Sequence, residues 1–242
     1  MIGVFDSGVG GLSVVKEIFK SLPNQKIIYF GDTARLPYGT KGADFVKKYS
    51  EKITEWLLGK GANVIVIACH TSSAQAGKYL KERFKNIPIF DMISPCLQEL
   101  SHFNRIGVIG TPGTIKSRVW DAPNVVSKSC PLFVPLVEEG WIDKEITKEI
   151  VKEYLKDFNN IEALVLACTH YPMLEKIIKK ITKAKIIDPA KIVTQKLKLF
   201  LDDESVVPGE NQFFFSDEPY NLKKISKLCL GKEIKPIIYD PF

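Results

Sequence analysis

Val64-Ile65-Val66-Ile67-Ala68-Cys69-His70-Thr71 and Ala163-Leu164-Val165-Leu166-Ala167-Cys168-Thr169-His170 decide the fold. Each is a short, uncharged aliphatic run that ends in a cysteine and then turns polar. A run of that length, apolar at every position, reads as a strand buried on both faces, the habit of parallel sheets covered by helices. Further strand candidates lie at 2–5, 26–31, 87–91, 105–110, 131–136 and 184–188. Segments of helical period separate most of them, among them 43–60, 71–85, 143–157 and 171–181. This alternation predicts an α/β protein with mostly parallel sheets.

The two cysteine-ended runs also match each other, Cys168 following Cys69 by 99 residues. Working outward, Ile2-Gly3-Val4-Phe5-Asp6-Ser7 matches Ile106-Gly107-Val108-Ile109-Gly110-Thr111 at a spacing of 104. At a similar spacing, the strand ending near Phe30-Gly31-Asp32 is matched to Leu132-Phe133-Val134-Pro135. Matches in one order at nearly constant spacing predict two pseudo-symmetric domains rather than a solenoid. Ligands of open α/β sheets bind beyond the carboxyl ends of the strands. With one strand-end cysteine in each domain, the active site is expected between them.

The 242 residues are 45% hydrophobic and 26% charged, the balance of a globular chain long enough for two domains. The longest apolar runs have strand length and fall far short of a membrane span, so no membrane association is expected. Ile2-Gly3-Val4-Phe5 reads as the first core strand, so no signal peptide is expected. The five cysteines, at 69, 96, 130, 168 and 229, form no C-x-x-C pair. That argues against a disulfide scaffold and for a reducing, cytoplasmic location. The net charge of +6 comes with lysines spread over helical stretches, and no basic run is interleaved with aromatics. Nucleic acid is therefore not an expected partner.

Candidate chemistry concentrates at the two strand ends. Cys69 and Cys168 are followed closely by Thr71 and Thr169, each placed to cap a following helix. A helix N-terminus supplies partial positive charge and free N–H groups, which lower a thiol's pKa and cradle a carboxylate. Two of the three histidines, His70 and His170, lie within two residues of these cysteines. Asp6, ending the first strand, and Glu138, following the run at 132–136, are carboxylates in reach of the same cleft. The loop Asp6-Ser7-Gly8-Val9-Gly10-Gly11 fails both nucleotide patterns. It lacks Gly-Lys-Ser/Thr, and Ser13 stands where G-x-G-x-x-G has its third glycine. The loop reads as backbone approaching a small anion. Two opposed cysteines, one thiolate and one thiol, suffice to invert a carbon by taking a proton from one face and delivering another to the opposite face. Cys69-His70 and Cys168-x-His170 also contain four potential zinc ligands, without the usual C-x2-4-C hook. A metal-binding module is therefore an alternative, as is a protein that binds a small ligand without turning it over.

Six motifs together resemble bacterial glutamate racemase, in order from Ile2 to near the C-terminus. They are Phe5-Asp6-Ser7-Gly8-Val9-Gly10-Gly11-Leu12, Gly31-Asp32-Thr33-Ala34-Arg35, Pro37-Tyr38-Gly39, Ala68-Cys69-x-Thr71, Phe133-Val134-Pro135-Leu136-Val137-Glu138-Glu139-Gly140 and Cys168-Thr169-His170-Tyr171-Pro172. The resemblance implies a first domain of 1–95 plus about 206–242 and a second of 96–205, with the substrate between them. It implies a homodimer, using neither cofactor nor metal, that converts L-glutamate to D-glutamate for peptidoglycan. Cys69 and Cys168 match the catalytic pair, and Asp6, Glu138 and His170 match the groups that assist them. Asp6, Ser7, Tyr38, Gly39, His70, Thr71, Thr169 and His170 match substrate-binding positions, with Asp6 expected to hold the substrate ammonium.

The sequence departs from that pattern in four places. His70 replaces an asparagine, Ala167 replaces a glycine, Ser94 stands for a glutamate before Pro95, and the stretch Trp120–Ser129 is shorter than usual. An imidazole at position 70 is expected to add a titration near neutrality. His170 favours glutamate, because aspartate racemases of the wider superfamily usually carry Glu there. The replacement at His70 keeps aspartate or another polar amino acid open as substrate.

Overall fold

Strand β1 (Ile2–Asp6) lies between β2 (Ile27–Gly31) and β3 (Val64–Ile67), and all three are buried throughout, as their near-continuous apolar runs require. The computed structural model describes residues 1–201 and 209–242. Helices α1 (Leu12–Ser21), α2 (Ala43–Gly59) and α3 (His70–Arg83) connect these strands, and β4 (Ile89–Asp91) pairs with β3. Along α1, Leu12, Val15 and Ile18 recur at helical spacing and form its buried face.

Helix α4 (Ser94–Leu100) leads to a second sheet, in which β5 (Ile106–Gly110) sits between β6 (Val125–Ser129) and β7 (Ala163–Ala167), with β8 (Lys185–Ile187) beyond β7. Its helices are α5 (Pro112–Lys116), α6 (Phe133–Glu138), α7 (Glu145–Leu155) and α8 (Glu175–Ile181). Helix α9 (Pro189–Leu201) then packs back on α1 and α4. The chain ends with β9 (Gln212–Phe215), α10 (Leu222–Leu230) and β10 (Ile237–Ile238), whose strands extend the first sheet beside β2.

The sheet orders are β10-β9-β2-β1-β3-β4 and β6-β5-β7-β8, and every described pairing is parallel. The block β2-β1-β3-β4 repeats as β6-β5-β7-β8, so the duplication read in the sequence is a duplication of topology. The boundary expected at 95/96 falls inside α4; the one near 205/206 lies outside the described residues. None of the described helices is long and apolar enough to cross a membrane.

One predicted strand is corrected. Residues 131–136 are not a strand: Phe133–Glu138 is helix α6, and β5's partner is Val125–Ser129. Pro135 lacks the N–H that a central strand would donate, but the first turn of a helix tolerates it. Val125–Ser129 carries no buried-strand signal, because Val-Val-Ser-Lys-Ser is too polar for a buried run. It lies at the sheet edge and is only partly covered. The counterpart of Gly31 is therefore Ser129, since Asp6 pairs with Gly31 as Gly110 pairs with Ser129.

Both halves carry glycine at the second position of their first strand, and both need it. A Cβ at Gly3 would lie 2.9 Å from Ala62 Cβ and 3.2 Å from Leu57 Cβ at the end of α2. At Gly107 it would lie 2.8 Å from Phe158 Cδ1 and 2.9 Å from Ile161 Cδ1. The first set is close to the backbone and cannot turn away, whereas the second consists of side-chain ends. Gly3→Ala is expected to lower stability by about 1–3 kcal/mol, and Gly107→Ala by less. Urea unfolding of the two variants checks the size and the order.

Candidate active site

The carboxyl ends of β3 and β7 open onto one cavity of about 280 Å³, near the lower size of small-ligand pockets, about 300 Å³. Its wall carries Cys69, His70 and Thr71 from the first half and Cys168, Thr169 and His170 from the second. Ser7, Tyr38, Gly39 and Glu138 also line it. Asp6 does not reach its surface. The carboxylate is 1% exposed and accepts from the Gly8 N–H at 3.0 Å and the Thr169 hydroxyl at 3.4 Å. Burial pushes its pKa up, partly offset by His170 and the N–H groups of Gly8 and Gly11.

Cys69 follows β3 and is itself the cap of α3, a role the sequence reading gave to Thr71. Its Sγ accepts the Ser72 N–H at 3.5 Å. The thiol also lies 3.7 Å from Ser7 Oγ. Burial, together with the charge of Asp6, pushes the Cys69 thiol up to about 11 against these bonds. The helix N-terminus alone does not make this sulfur a thiolate.

The second cysteine has different surroundings. A 3-10 turn over Tyr171–Leu174 intervenes before α8, and Thr169 caps no helix. Its hydroxyl is turned to Asp6, and its carbonyl accepts from Ser13 Oγ at 2.8 Å. His170 Nδ1 lies 3.9 Å from Cys168 Sγ, while Nε2 lies 3.0 Å from Glu138 Oε1. Burial opposes a charged His170, but the bonds to Cys168 and Glu138 outweigh it and lift the imidazole to about 10. An imidazolium held by Glu138 is thus set beside the sulfur of Cys168. Glu138 reaches it as the last residue of α6 rather than from a strand.

His70 is the opposite case. It is 4% exposed, neither ring nitrogen has a hydrogen-bond partner in the protein, and burial lowers its pKa to about 3, with Asp91 pulling weakly the other way. The imidazole is neutral throughout the physiological range. The titration near neutrality expected from the sequence is therefore absent.

Two groups of residues to which the sequence assigns no role support the site. Asp32 accepts from the Tyr38 hydroxyl at 2.6 Å, from Ser216 Oγ at 2.8 Å and from Arg35, and Arg35 also pairs with Asp240 at 2.6 Å. The Tyr38 hydroxyl is therefore donated to Asp32, and Tyr38 and Gly39 line the cavity. In the second half, Thr111 Oγ1 lies 2.9 Å from Thr71 Oγ1 and 3.0 Å from Thr114 Oγ1, and Thr111 lines the cavity. The signal for Thr111 was present, since it is the repeat counterpart of Ser7. Among the described residues, no group of three His, Cys, Asp or Glu side chains is placed to hold a metal ion. The two cysteine–histidine pairs do not merge into one ligand set.

No family model matches the chain. It is 42% identical to the glutamate racemase of Aquifex aeolicus (strain VF5), over 98% of this chain and 96% of that protein. The crystal structure of glutamate racemase from Francisella tularensis in complex with D-glutamate superposes with a TM-score of 0.91 at 38% identity, covering 98% of this chain and 96% of that one. The aspartate racemase of Picrophilus torridus shares the fold alone, with a TM-score of 0.55 at 17% identity over 82% of this chain and 93% of that one. Identity near 40%, held from one end of the chain to the other, makes this protein a member of the glutamate racemase family and an amino-acid racemase.

Proposed function

We propose that this enzyme interconverts L- and D-glutamate by a two-base mechanism with Cys69 and Cys168 on opposite faces of the substrate Cα, without pyridoxal phosphate, metal or nucleotide. The observation that carries this reading is the placement of one strand-end cysteine from each half on the wall of a single small cavity. In the L-to-D direction the Cys168 thiolate takes the α-proton. The electron pair left on Cα is then protonated on the other face by the Cys69 thiol, which becomes the thiolate. The D-to-L direction runs the same steps in reverse. The unequal surroundings support this assignment, because Cys69 is held as the thiol while His170 Nδ1, with Glu138 on its other nitrogen, stands 3.9 Å from Cys168 Sγ.

The α-proton of an amino acid is very weakly acidic, so the carbanion needs strong stabilisation. Backbone N–H groups around Ser7, Thr71 and Thr169 are the donors for the substrate carboxylate, and Asp6, Glu138 and His170 assist proton placement. Asp6 acts from behind the wall, through Thr169 and by its charge, rather than as a direct ligand of the ammonium. His70, Tyr38 and Gly39 complete the substrate contacts. The domain division at 95/96 and about 205/206, a homodimer, a cytoplasmic location and supply of D-glutamate to peptidoglycan belong to the same proposal. Incubation with L-glutamate and, separately, L-aspartate, followed by chiral chromatography, decides the substrate.

Removing either cysteine should lower racemisation by roughly 10²–10⁴-fold or more. The surviving thiolate can still lift and return a proton on its own face. In D2O, Cys168→Ala should allow slow Cα exchange in D-glutamate only, and Cys69→Ala in L-glutamate only. Equal exchange of both enantiomers in either variant would sink the assignment of one cysteine to each face.

His70→Asn should retain racemisation within about tenfold, or about 1.4 kcal/mol, and leave the activity profile unchanged between pH 6 and 9. Its effect on stability should appear in acid. The imidazole titrates near 3 when folded and near 6.5 when unfolded, so between these values the unfolded chain binds more protons. Stability is lost as pH falls through that window. Urea midpoints at pH 7 and pH 4.5 should fall further apart for the parent protein than for His70→Asn.

A further inference from the structure

We infer that Ser13 is a positioning residue for Cys168, holding the second half's cysteine segment from the first half of the chain. Ser13 stands where a dinucleotide loop would have its third glycine, and nothing in the proposed chemistry uses it. It lies in the first turn of α1, is 8% exposed, and donates through Oγ to the Thr169 carbonyl at 2.8 Å, across 156 residues of sequence. That carbonyl belongs to the peptide joining Thr169 to His170. Its plane sets where the His170 ring stands relative to Cys168 Sγ, a contact already long at 3.9 Å. The same loop limits the ring from the other side, since a Cβ at Gly10 would lie 2.5 Å from His170 Cε1. Without the hydroxyl, a buried carbonyl loses its donor, and the peptide gains reason to turn toward another.

The duplication supplies an internal control. Ser117, 104 residues after Ser13, donates to the Thr114 carbonyl within its own helical turn at 2.6 Å and does not cross to the Cys69 segment. Cys69 is held by its own helix through Ser72. The Ser13 bond therefore bears on one cysteine and not on the other.

This inference rests on the two-cysteine reading, but its test does not depend on turnover. Iodoacetamide modification of the free enzyme at pH 7 is followed at each cysteine by peptide mass spectrometry, because alkylation reports thiolate at that sulfur. Ser13→Ala should slow Cys168 at least about threefold relative to Cys69, and Ser13→Thr, which keeps the hydroxyl, should restore the ratio to within about twofold. If the alanine variant does not fold, Ser13→Cys keeps the size, offers only a weak donor and replaces it. An unchanged ratio, equal slowing of both cysteines, or a threonine variant that behaves like alanine would overturn the role. Failure of the two-cysteine reading itself would show separately, as racemisation surviving in Cys168→Ala.

Discussion

Parallel pairing is the constraint on which the site depends. Because β1 and β3 run the same way, their carboxyl ends share one edge of the first sheet, and β5 and β7 do the same in the second. Asp6 and Cys69 are neighbours for that reason, as are Thr111 and Cys168. The polar groups of the cavity are thus gathered from segments far apart in sequence by backbone geometry alone. Duplicated topology then brings two such edges to one space. A substrate placed there meets related but separately built walls.

The walls have diverged in electrostatics. On one side the sulfur caps a helix, meets a serine hydroxyl and is buried near a carboxylate, so the neutral thiol is favoured. On the other, a carboxylate, an imidazole and a sulfur are arrayed in line, and burial raises the stakes of leaving any of them unpaired. Both histidines are buried, and their partners explain why they behave oppositely. His170 has partners at both ring nitrogens, and His70 has none in the protein.

Much of the fold was legible because buried parallel strands are written as unbroken apolar runs. The stretches around Val4, Val66, Val108 and Val165 were found within a residue or two of their observed limits. Val125–Ser129 was missed because an edge strand can afford polar residues, and Phe133–Val137 was misread because an apolar run of that length also suits a helix packed on the core. That Cys69 and Cys168 share a cavity follows from the repeat and the strand-end rule. The state of each side chain did not follow. Whether His70 titrates depends on burial, and whether Thr169 caps a helix depends on where Asp6 and Ser13 lie in space. Neither is a local property of the chain.

The position of β9 has a consequence for how the protein is made. The second sheet is assembled from one continuous stretch, Ile106 to Ile187, and can close while the chain is still being synthesised. The first sheet cannot, because among the described residues the flank of β2 is paired by Gln212–Phe215. Until those residues emerge from the ribosome, the strand carrying Tyr29 and Phe30 stays an open edge, a template for pairing with another chain. The half of the molecule that is translated first is thus the half that finishes folding last, and throughout elongation it depends on its own unpaired edge finding no other partner.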